Sequence, residues 1–312
     1  MNALQTLRES YAAGEARAIY ELVLRLRFGL SRTDILLGKD TTLSANDKAE
    51  LQIIVDRVAK GEPVQYVLGI EEFRGRTFLV GPGVLIPRPE TGQLVHLAEQ
   101  NVPSGSRVLD VGTGSGCIGV SLALAGYKVT ALDISEEALS YARRNAERLG
   151  AEVEFVKQDI LSPDFKGQGA GGKEQGARGK GQGAGGKGQG ASFPYDAIVS
   201  NPPYVCRNET AEMEENVRAY EPHLALFVPD DNPLLFYRAI ADYGLVHLSA
   251  GGWLLFETNR AYARQVAEML RQKGYTGAVT KKDQFGNDRF VVCRKGASGE
   301  AQTECRNRRH VE

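Results

Sequence analysis

The chain has little of what marks secreted, disulfide-rich or membrane-bound proteins. Only four of its 312 residues are cysteines, and none stands in a CxxC pair or at the spacing of metal ligands, so we expect reduced thiols and no disulfide framework. No apolar run approaches the ~18 residues of a membrane span. Charged residues interrupt the first 30 positions, which argues against the apolar core of a signal peptide. We therefore expect a soluble, cytoplasmic protein with no membrane association.

A strong charge of either sign is also missing. Lysine and arginine together number 38 and aspartate and glutamate 39, which gives a formal net charge of −1. Residues 166–191 hold five basic residues and one acidic one, so the rest of the chain carries −5. Tight binding to a phosphate backbone needs clustered lysine and arginine, so we expect no direct nucleic-acid binding.

Glycine, in contrast, is abundant. Twelve of the 36 glycines lie between positions 167 and 191, in a seven-residue repeat of the type GQGAGGK. The repeat lacks the apolar a and d positions of a coiled coil, and glycine disfavours helix. We predict a flexible, disordered insertion over 166–192, with a nucleic-acid- or phosphate-binding loop as the alternative.

The remaining chain divides into segments that differ in their pattern of apolar residues. Residues 1–62 have helical spacing only, which predicts a small all-α domain, and residues 63–90 predict a β-hairpin linker. Over 91–295 short apolar strands alternate with helical stretches, which is typical of an α/β domain with a mostly parallel sheet and a terminal antiparallel hairpin. Residues 296–312 form a polar tail. The predicted strands are 107–111, 128–132, 153–157, 196–200, 253–256, 276–281 and 289–294, with helices near 117–125, 136–149, 232–249 and 260–273.

A glycine-rich turn follows the first predicted strand of this domain. Gly114, Gly116 and Gly119 match the pattern GxGxxG, and glycines without a Cβ let a cofactor approach the backbone closely. Asp133 closes the next strand, where a carboxylate can accept both ribose hydroxyls of an adenosine. The pattern predicts a cofactor that contains adenosine. A turn built only for tight packing is the alternative.

Two further residues stand at the end of the third strand. Asp159 is placed to accept a hydrogen bond from the exocyclic amine of an adenine, and Ile160 to pack on the ring. The alternative interpretation of Asp159 is a residue that only closes a turn after the strand.

The sequence NPPY follows the fourth strand, at the edge where open α/β sheets bind ligands. Its two prolines remove two backbone donors and leave the Pro202 carbonyl as an acceptor. The side-chain oxygen of Asn201 is a second acceptor, and Tyr204 offers a flat face. Two acceptors that converge on one point suit an NH₂ group, so we predict a planar nitrogen nucleophile as substrate. An Asn-Pro turn without function is the alternative.

With these motifs the chain resembles class I S-adenosylmethionine-dependent methyltransferases that carry NPPY. Among them it resembles the peptide chain release factor N5-glutamine methyltransferases, the PrmC/HemK family. The segments that carry this resemblance are GIEEFRG at 69–75, VLIPRPET at 84–91, YEP at 220–222 and GNDRF at 286–290. NPPY alone would not separate this family from adenine methyltransferases, whereas a helical amino-terminal domain joined by an IPRPET linker is characteristic of it.

The resemblance implies a Rossmann-like catalytic domain, S-adenosyl-L-methionine as the methyl donor and S-adenosyl-L-homocysteine as the product. The residues that it assigns to the cofactor are Gly112, Thr113, Gly114, Ser115, Gly116, Asp133, Asp159, Ile160 and Asn201. Those that it assigns to the substrate glutamine are Asn201, Pro202, Pro203 and Tyr204, with Asn201, Pro202 and Tyr204 as the catalytic residues. Arg88 and Glu90 are expected to shape the substrate pocket, with a structural hinge as the alternative.

The implied reaction is methyl transfer to the side-chain amide nitrogen of a glutamine in the GGQ-type loop of release factors, which would modulate translation termination. We expect a monomer that docks release factors on its helical domain, although that domain could instead only stabilise the catalytic one. No metal is needed and no dedicated base is evident, because the four histidines lie outside the motifs. Gly92 and the segment 257–259 depart from the usual family pattern, and we expect both departures to affect local packing only.

Other functions remain open at this point. An adenine-N6 methyltransferase of DNA or RNA would share NPPY, and a glutamine methyltransferase of a ribosomal protein would share the chemistry. A protein that only binds the cofactor would make no use of the substrate motif. A nicotinamide dehydrogenase, suggested by GxGxxG alone, leaves NPPY without a role.

Because the repeat carries none of these motifs, we expect deletion of residues 167–191 to leave methyl transfer largely intact. The measurement is the initial rate of methyl incorporation by the deleted and full-length chains at equal concentration. A large loss of activity in a folded deletion variant would contradict this interpretation of the insertion.

Overall fold

The computed structural model describes residues 3–162 and 194–296. The predicted insertion at 166–192 and residues 297–312 of the predicted tail lie outside these ranges. Within them, every helix is too short or too polar to cross a membrane.

The amino-terminal region is helical, as its spacing predicts. Its helices are α1 (Ala3–Ser10), α2 (Ala13–Phe28), α3 (Arg32–Leu36), α4 (Ala45–Ala59) and α5 (Val64–Leu68). Leu7, Val23 and Val55 are buried together in one apolar core, so the helices stabilise one another through their apolar stripes. The Ser44 hydroxyl accepts a hydrogen bond from the Asp47 amide at 3.1 Å, which caps α4.

A hairpin follows this helical region, within the predicted linker at 63–90. Its strands are β1 (Ile70–Phe73) and β2 (Arg76–Leu79), which pair antiparallel with Ile70 opposite Leu79. Arg74 and Gly75 both have positive φ, as a two-residue hairpin turn of type I′ requires. The short helix α5 before the hairpin was not expected from the pattern. Helix α6 (Pro89–Asn101) then starts with a proline, whose missing N–H costs nothing in the first turn.

Within the described residues, the region from 107 to 295 is built on a seven-stranded sheet, and the predicted α/β fold is confirmed. The strands are β3 (Arg107–Val111), β4 (Lys128–Asp133), β5 (Val153–Lys157), β6 (Tyr195–Ser200), β9 (Leu248–Glu257), β10 (Tyr275–Lys282) and β11 (Asp288–Lys295). Their order is β10-β11-β9-β6-β3-β4-β5. The five strands from β9 to β5 run parallel, and β11 and β10 add an antiparallel edge.

Helices cover both faces of this sheet. They are α7 (Cys117–Leu124), α8 (Glu136–Leu149), α11 (Leu235–His247) and α12 (Ala263–Gln272), together with α6. Side chains of β3 alternate between the faces: Leu109 packs with α11 and α12, and Val108 packs with α6 and α7. Because both faces are buried, the central strands read as continuous apolar runs.

The segment between β6 and α11 contains short elements that the sequence pattern did not indicate. They are β7 (Val205–Cys206), α9 (Glu215–Tyr220), α10 (His223–Leu226) and β8 (Phe227–Val228), with a 3₁₀ turn at Arg207–Glu212. β7 and β8 pair in parallel, and the Tyr204 amide donates to the Leu226 carbonyl at 3.2 Å. This segment therefore folds back over the edge of the sheet where NPPY lies.

Asn145 of α8 ties the hairpin to the glycine-rich turn. Its side-chain oxygen accepts from the Leu79 amide at 2.6 Å, and its nitrogen donates to the carbonyls of Leu79 and Ser115 at 3.0 and 2.9 Å. The side chain is fully buried, so water cannot replace these hydrogen bonds if they are lost.

We therefore expect Asn145→Ala to lower the free energy of unfolding by about 2–4 kcal/mol, because it leaves buried backbone groups unpaired. Urea denaturation measures the change. The matched control is Asn46→Ala, at an exposed position in the first turn of α4, which we expect to change stability by less than about 0.5 kcal/mol. Equal stability of the two variants would show that Asn145 does not hold the hairpin in place.

Candidate functional site

A cavity of about 370 Å³ opens at the carboxyl ends of β3, β4, β5 and β6. Its size suits a small-molecule ligand, and its position is the one where open α/β sheets bind ligands. The wall contains the predicted glycine turn, Asp133, the segment 158–160 and the segment 201–203. The four sequence elements predicted to bind cofactor and substrate therefore meet in one place.

The glycine turn leaves room for a ligand at two of its glycines. Gly112 and Gly114 have φ values of +73° and +55°, and a Cβ on either would meet nothing within 4 Å. Both line the cavity. Glycine is therefore required here for the backbone conformation, and the open space beside the backbone fits the close approach of a cofactor.

Three neighbouring residues that were predicted to bind the cofactor do not line the cavity. A Cβ on Gly116 would lie 3.0 Å from the Ala142 Cβ, so this glycine allows α7 to pack against α8. Thr113 and Ser115 are buried, and the Thr113 hydroxyl donates to Asp110 at 2.6 Å. Spacing alone does not separate glycines that face the cavity from those that face a helix, and contact of these three residues with a cofactor stays a prediction.

Asp110, which the sequence analysis missed, holds this turn together. Its Oδ2 accepts from the Thr113 hydroxyl and from the Gly119 amide, the latter at 2.9 Å. A Cβ on Gly119 would lie 3.0 Å from the same oxygen, which explains the third glycine of GxGxxG. Burial raises the Asp110 pKa to about 7. An acidic residue inside the apolar strand VLDV is the signal that could have identified it.

Asp133 closes β4 beside the turn. Its two oxygens accept hydrogen bonds from the amides of Gly114 and Ser135, both at 2.9 Å. Burial raises the pKa of this carboxyl, and the backbone donors oppose that rise. Each carboxylate oxygen has a second lone pair, so the group can still accept from two hydroxyls of a ribose in the cavity.

Asp159 and Ile160 line the same cavity as the glycine turn. Asp159 Oδ1 accepts from the Leu161 amide at 2.8 Å, so this residue closes a turn after the strand. The two interpretations of Asp159 are thus compatible, because the carboxylate both closes the turn and faces the cavity.

Asn201 lies at the end of β6, on the cavity wall. Its Nδ2 donates to the Thr91 hydroxyl at 3.2 Å. Its Oδ1 is buried and has no hydrogen-bond partner among the residues that the structure describes. A buried acceptor without a partner is costly, so this oxygen suits a donor that a ligand supplies.

The rest of the NPPY motif divides between the cavity and the interior. Pro202 and Pro203 line the cavity, and Tyr204 does not. The Tyr204 hydroxyl instead donates to Glu257 Oε1 at 3.4 Å, and burial raises its pKa. The hydroxyl end of Tyr204 therefore points toward the last residue of β9.

Glu257, the last residue of β9, was expected to affect local packing only. The structure shows it buried, with its Oε2 accepting from the Thr91 hydroxyl at 2.8 Å. Burial raises its pKa to about 7, although the hydrogen bond from Thr91 and the nearby Arg289 charge lower it. A carboxylate that ends an apolar strand, here WLLFE, is again the signal that the sequence analysis passed over.

Arg88 and Glu90 do not line the cavity either. Arg88 forms an ion pair with Glu221, whose second oxygen accepts from the Ile86 amide at 3.1 Å. The pair joins the linker to the segment that starts α10. The residues of these two segments that reach the cavity are Gly83, Val84, Leu85, Pro222, Leu224 and Ala225. Arg88 thus fits the hinge interpretation, through its partner Glu221.

Comparison with known proteins bears on both parts of the chain. A family model described as the PrmC N-terminal domain matches residues 1–69, and one described as a methyltransferase domain matches residues 103–169. The chain is 45% identical to a release factor glutamine methyltransferase of Bacteroides thetaiotaomicron, over 93% of this chain and 97% of that protein. Proteins with the same name from Flavobacterium psychrophilum and Koribacter versatilis are 34% and 38% identical, over 92% and 89% of this chain and 95% and 91% of theirs.

The position of Asp133 gives a direct test of the cofactor site. We expect Asp133→Asn to weaken the binding of S-adenosyl-L-methionine by roughly 10- to 100-fold, because a charged acceptor for the ribose hydroxyls is lost. Isothermal titration calorimetry measures the Kd. The control is Asp56→Asn on the exposed face of α4, and an unchanged melting temperature shows that the variant is folded. An unchanged Kd in Asp133→Asn would remove this residue from the cofactor site.

Proposed function

The chain belongs to the release factor glutamine methyltransferase family, and on that premise we propose that it methylates the side-chain amide nitrogen of a glutamine in a peptide chain release factor. The methyl group comes from S-adenosyl-L-methionine, and S-adenosyl-L-homocysteine is the second product. The observation that carries the proposal is the buried Asn201 Oδ1, which has no partner among the described residues and belongs to a side chain on the cavity wall.

The cofactor fits the wall of the cavity that the glycine turn forms. Gly112 and Gly114 leave space beside the backbone for the methionine part, and Asp133 accepts from the ribose hydroxyls. Asp159 and Ile160 hold the adenine ring. Thr113, Ser115 and Gly116 lie behind the cavity wall, where they shape the turn.

The substrate amide is held by acceptors. An amide nitrogen is a poor nucleophile because its lone pair is delocalised into the carbonyl. Asn201 Oδ1 and the Pro202 carbonyl accept its two N–H groups, which aims the nitrogen at the methyl carbon. Most of the acceleration then comes from orientation and from preorganised dipoles.

The chemistry is one in-line displacement. The sulfonium of the cofactor supplies an electrophilic methyl group. With the cofactor bound, the amide nitrogen that Asn201 and Pro202 orient would take the methyl group in line, and the electron pair of the former carbon–sulfur bond would stay on sulfur. The positive charge that passes to the amide is then lost as a proton to solvent. None of the histidines among the described residues lines the cavity.

The helical region offers a surface for the protein substrate. Leu36, Leu37 and Ile53 are large apolar residues that stay 80%, 71% and 62% exposed. We propose that residues 1–62 dock the release factor, so that its glutamine-bearing loop reaches the cavity. We propose that the reaction takes place in the cytoplasm, where release factors act on the ribosome.

Asn201→Ala tests the proposed chemistry. We expect the rate of methyl transfer to fall by about 100-fold or more, because one of two aligned acceptors is lost. The Kd of S-adenosyl-L-methionine should change by less than about fivefold, because its main contacts remain. Mass spectrometry of a purified release factor, incubated with enzyme and cofactor, locates the added methyl group on one glutamine. Asn46→Ala is the control for a surface asparagine.

Two outcomes would contradict the proposal. Methylation of DNA or RNA with no modification of the release factor would favour an adenine methyltransferase. Unchanged turnover in Asn201→Ala would remove Asn201 from the substrate site.

A further inference from the structure

Taking the proposed methyl transfer as its basis, we propose that Glu257 acts through Thr91 as a positioning residue that fixes which atom of the Asn201 amide faces the substrate. Neither Glu257 nor Thr91 lines the cavity. Both lie behind the cavity wall and act on Asn201, which does line the cavity.

The three side chains come from three elements of the fold. Asn201 directly follows β6, and Glu257 ends the neighbouring parallel strand β9, in which Phe256 pairs with Ser200. Thr91 lies in the first turn of α6, which packs on the same strand. The register therefore brings Asn201 and Glu257 to adjacent positions at one edge, and the hydroxyl of Thr91 bridges them, at 3.2 Å from Asn201 Nδ2 and 2.8 Å from Glu257 Oε2.

The direction of these hydrogen bonds follows from counting hydrogens. An ionised carboxylate can only accept, so the single hydroxyl hydrogen of Thr91 must point to Glu257. The oxygen of Thr91 can then only accept from Asn201, and the amide must present its NH₂ group. Asn201 Oδ1 is consequently left for the substrate N–H.

The alternative orientation of Asn201 would remove an acceptor from the substrate site. The two ends of an asparagine amide have nearly the same shape, so packing alone does not choose between them. If the amide turned over, Oδ1 would meet the Thr91 oxygen, and NH₂ would face the substrate NH₂. Donor would then oppose donor at the reacting nitrogen, and the substrate would lose one of its two aligning contacts.

Protonation of Glu257 would remove the preference for the Asn201 orientation in which Oδ1 faces the substrate. A neutral carboxyl can donate to Thr91, which frees the Thr91 hydrogen to bond Asn201 Oδ1 and favours the wrong orientation. The charged or titratable groups around Glu257 are Arg289 of β11, Glu90 of α6, Tyr204, Tyr237 of α11 and Cys117 of α7. Of these, Arg289 stabilises the ionised form and Glu90 opposes it, while burial raises the Glu257 pKa to about 7. The ionised form therefore predominates above about pH 7 and is lost as the pH falls below it.

Two substitutions at Thr91 test the hydroxyl itself. Thr91→Val keeps the shape and removes the bridge, and we expect kcat for release-factor methylation to fall by roughly 10- to 100-fold. The Kd of S-adenosyl-L-methionine should stay within about twofold, because Thr91 does not reach the cavity. Thr91→Ser retains a hydroxyl and should recover most of the lost rate.

The matched control is Thr130→Val. Thr130 is a buried threonine of β4 that donates to a glutamate, Glu154, at 3.0 Å, outside the cavity. Thr130→Val loses the same kind of hydrogen bond as Thr91→Val. A fall in kcat that is seen in Thr91→Val and not in Thr130→Val is therefore specific to the substrate site. A similar fall in both variants would overturn the positioning role.

Glu257→Gln tests the carboxylate. Glutamine still offers an oxygen to Thr91 but does not titrate. We therefore expect the fall of kcat on the acid side, near pH 7, to be absent from this variant. We also expect its rate to be lower than that of the wild type. The measurement is kcat against pH, at saturating cofactor, for the wild type, Glu257→Gln and Thr130→Val. The same acid limb in all three proteins would exclude Glu257 as its source and overturn the proposal.

These experiments separate the two proposals. If the wild-type chain does not methylate a release factor, the proposed function fails. If it does, and Thr91→Val keeps the wild-type kcat, the function stands and the positioning role of Glu257 and Thr91 fails.

Discussion

The parallel pairing of β6 with β3 on one side and β9 on the other is the constraint on which the site depends. Val111 pairs with Ser200, and Ser200 pairs with Phe256, so the residues that follow these strands come out at one edge. The Ser200 hydroxyl also donates to the Val111 carbonyl at 2.7 Å. A slip of two residues in this register would move Asn201 by about 7 Å from the glycine turn, which is more than a methyl transfer can tolerate.

Buried polar groups are the second feature on which the site rests. Asp110 and Glu257 are carboxyls inside an apolar sheet, and burial raises the pKa of each to about 7. Such groups are costly in the folded state unless donors meet them. Here the donors belong to the site: Asp110 holds the glycine turn through the Gly119 amide, and Glu257 receives the hydroxyl of Thr91. The two carboxyls that are costly to bury therefore also hold the glycine turn and Thr91 in place at the edge of the sheet where the cavity lies.

Local signals were enough to predict much of the α/β fold. Helix α8 has the predicted bounds because Ser135 caps its start and Gly150 adopts the left-handed conformation at its end. β3 and β5 also match, since apolar runs between turn residues mark them clearly. The short elements between β6 and α11 were missed, because they are too brief to show a period and are held by contacts with the sheet edge. The division into domains stays a prediction.

The sequence by itself determined the chemical inventory of this protein: a glycine turn, a ribose-binding carboxylate, and an asparagine followed by two prolines, each after an apolar strand. Strand polarity and burial are local properties, so the order of these motifs already predicts that they meet at one edge. Only the tertiary structure decided the direction of each group. Asn201 turns its oxygen away from Thr91, Tyr204 turns toward Glu257, and Arg88 pairs with Glu221. The direction of a hydrogen bond depends on a partner, and these partners lie 53 to 133 positions away along the chain.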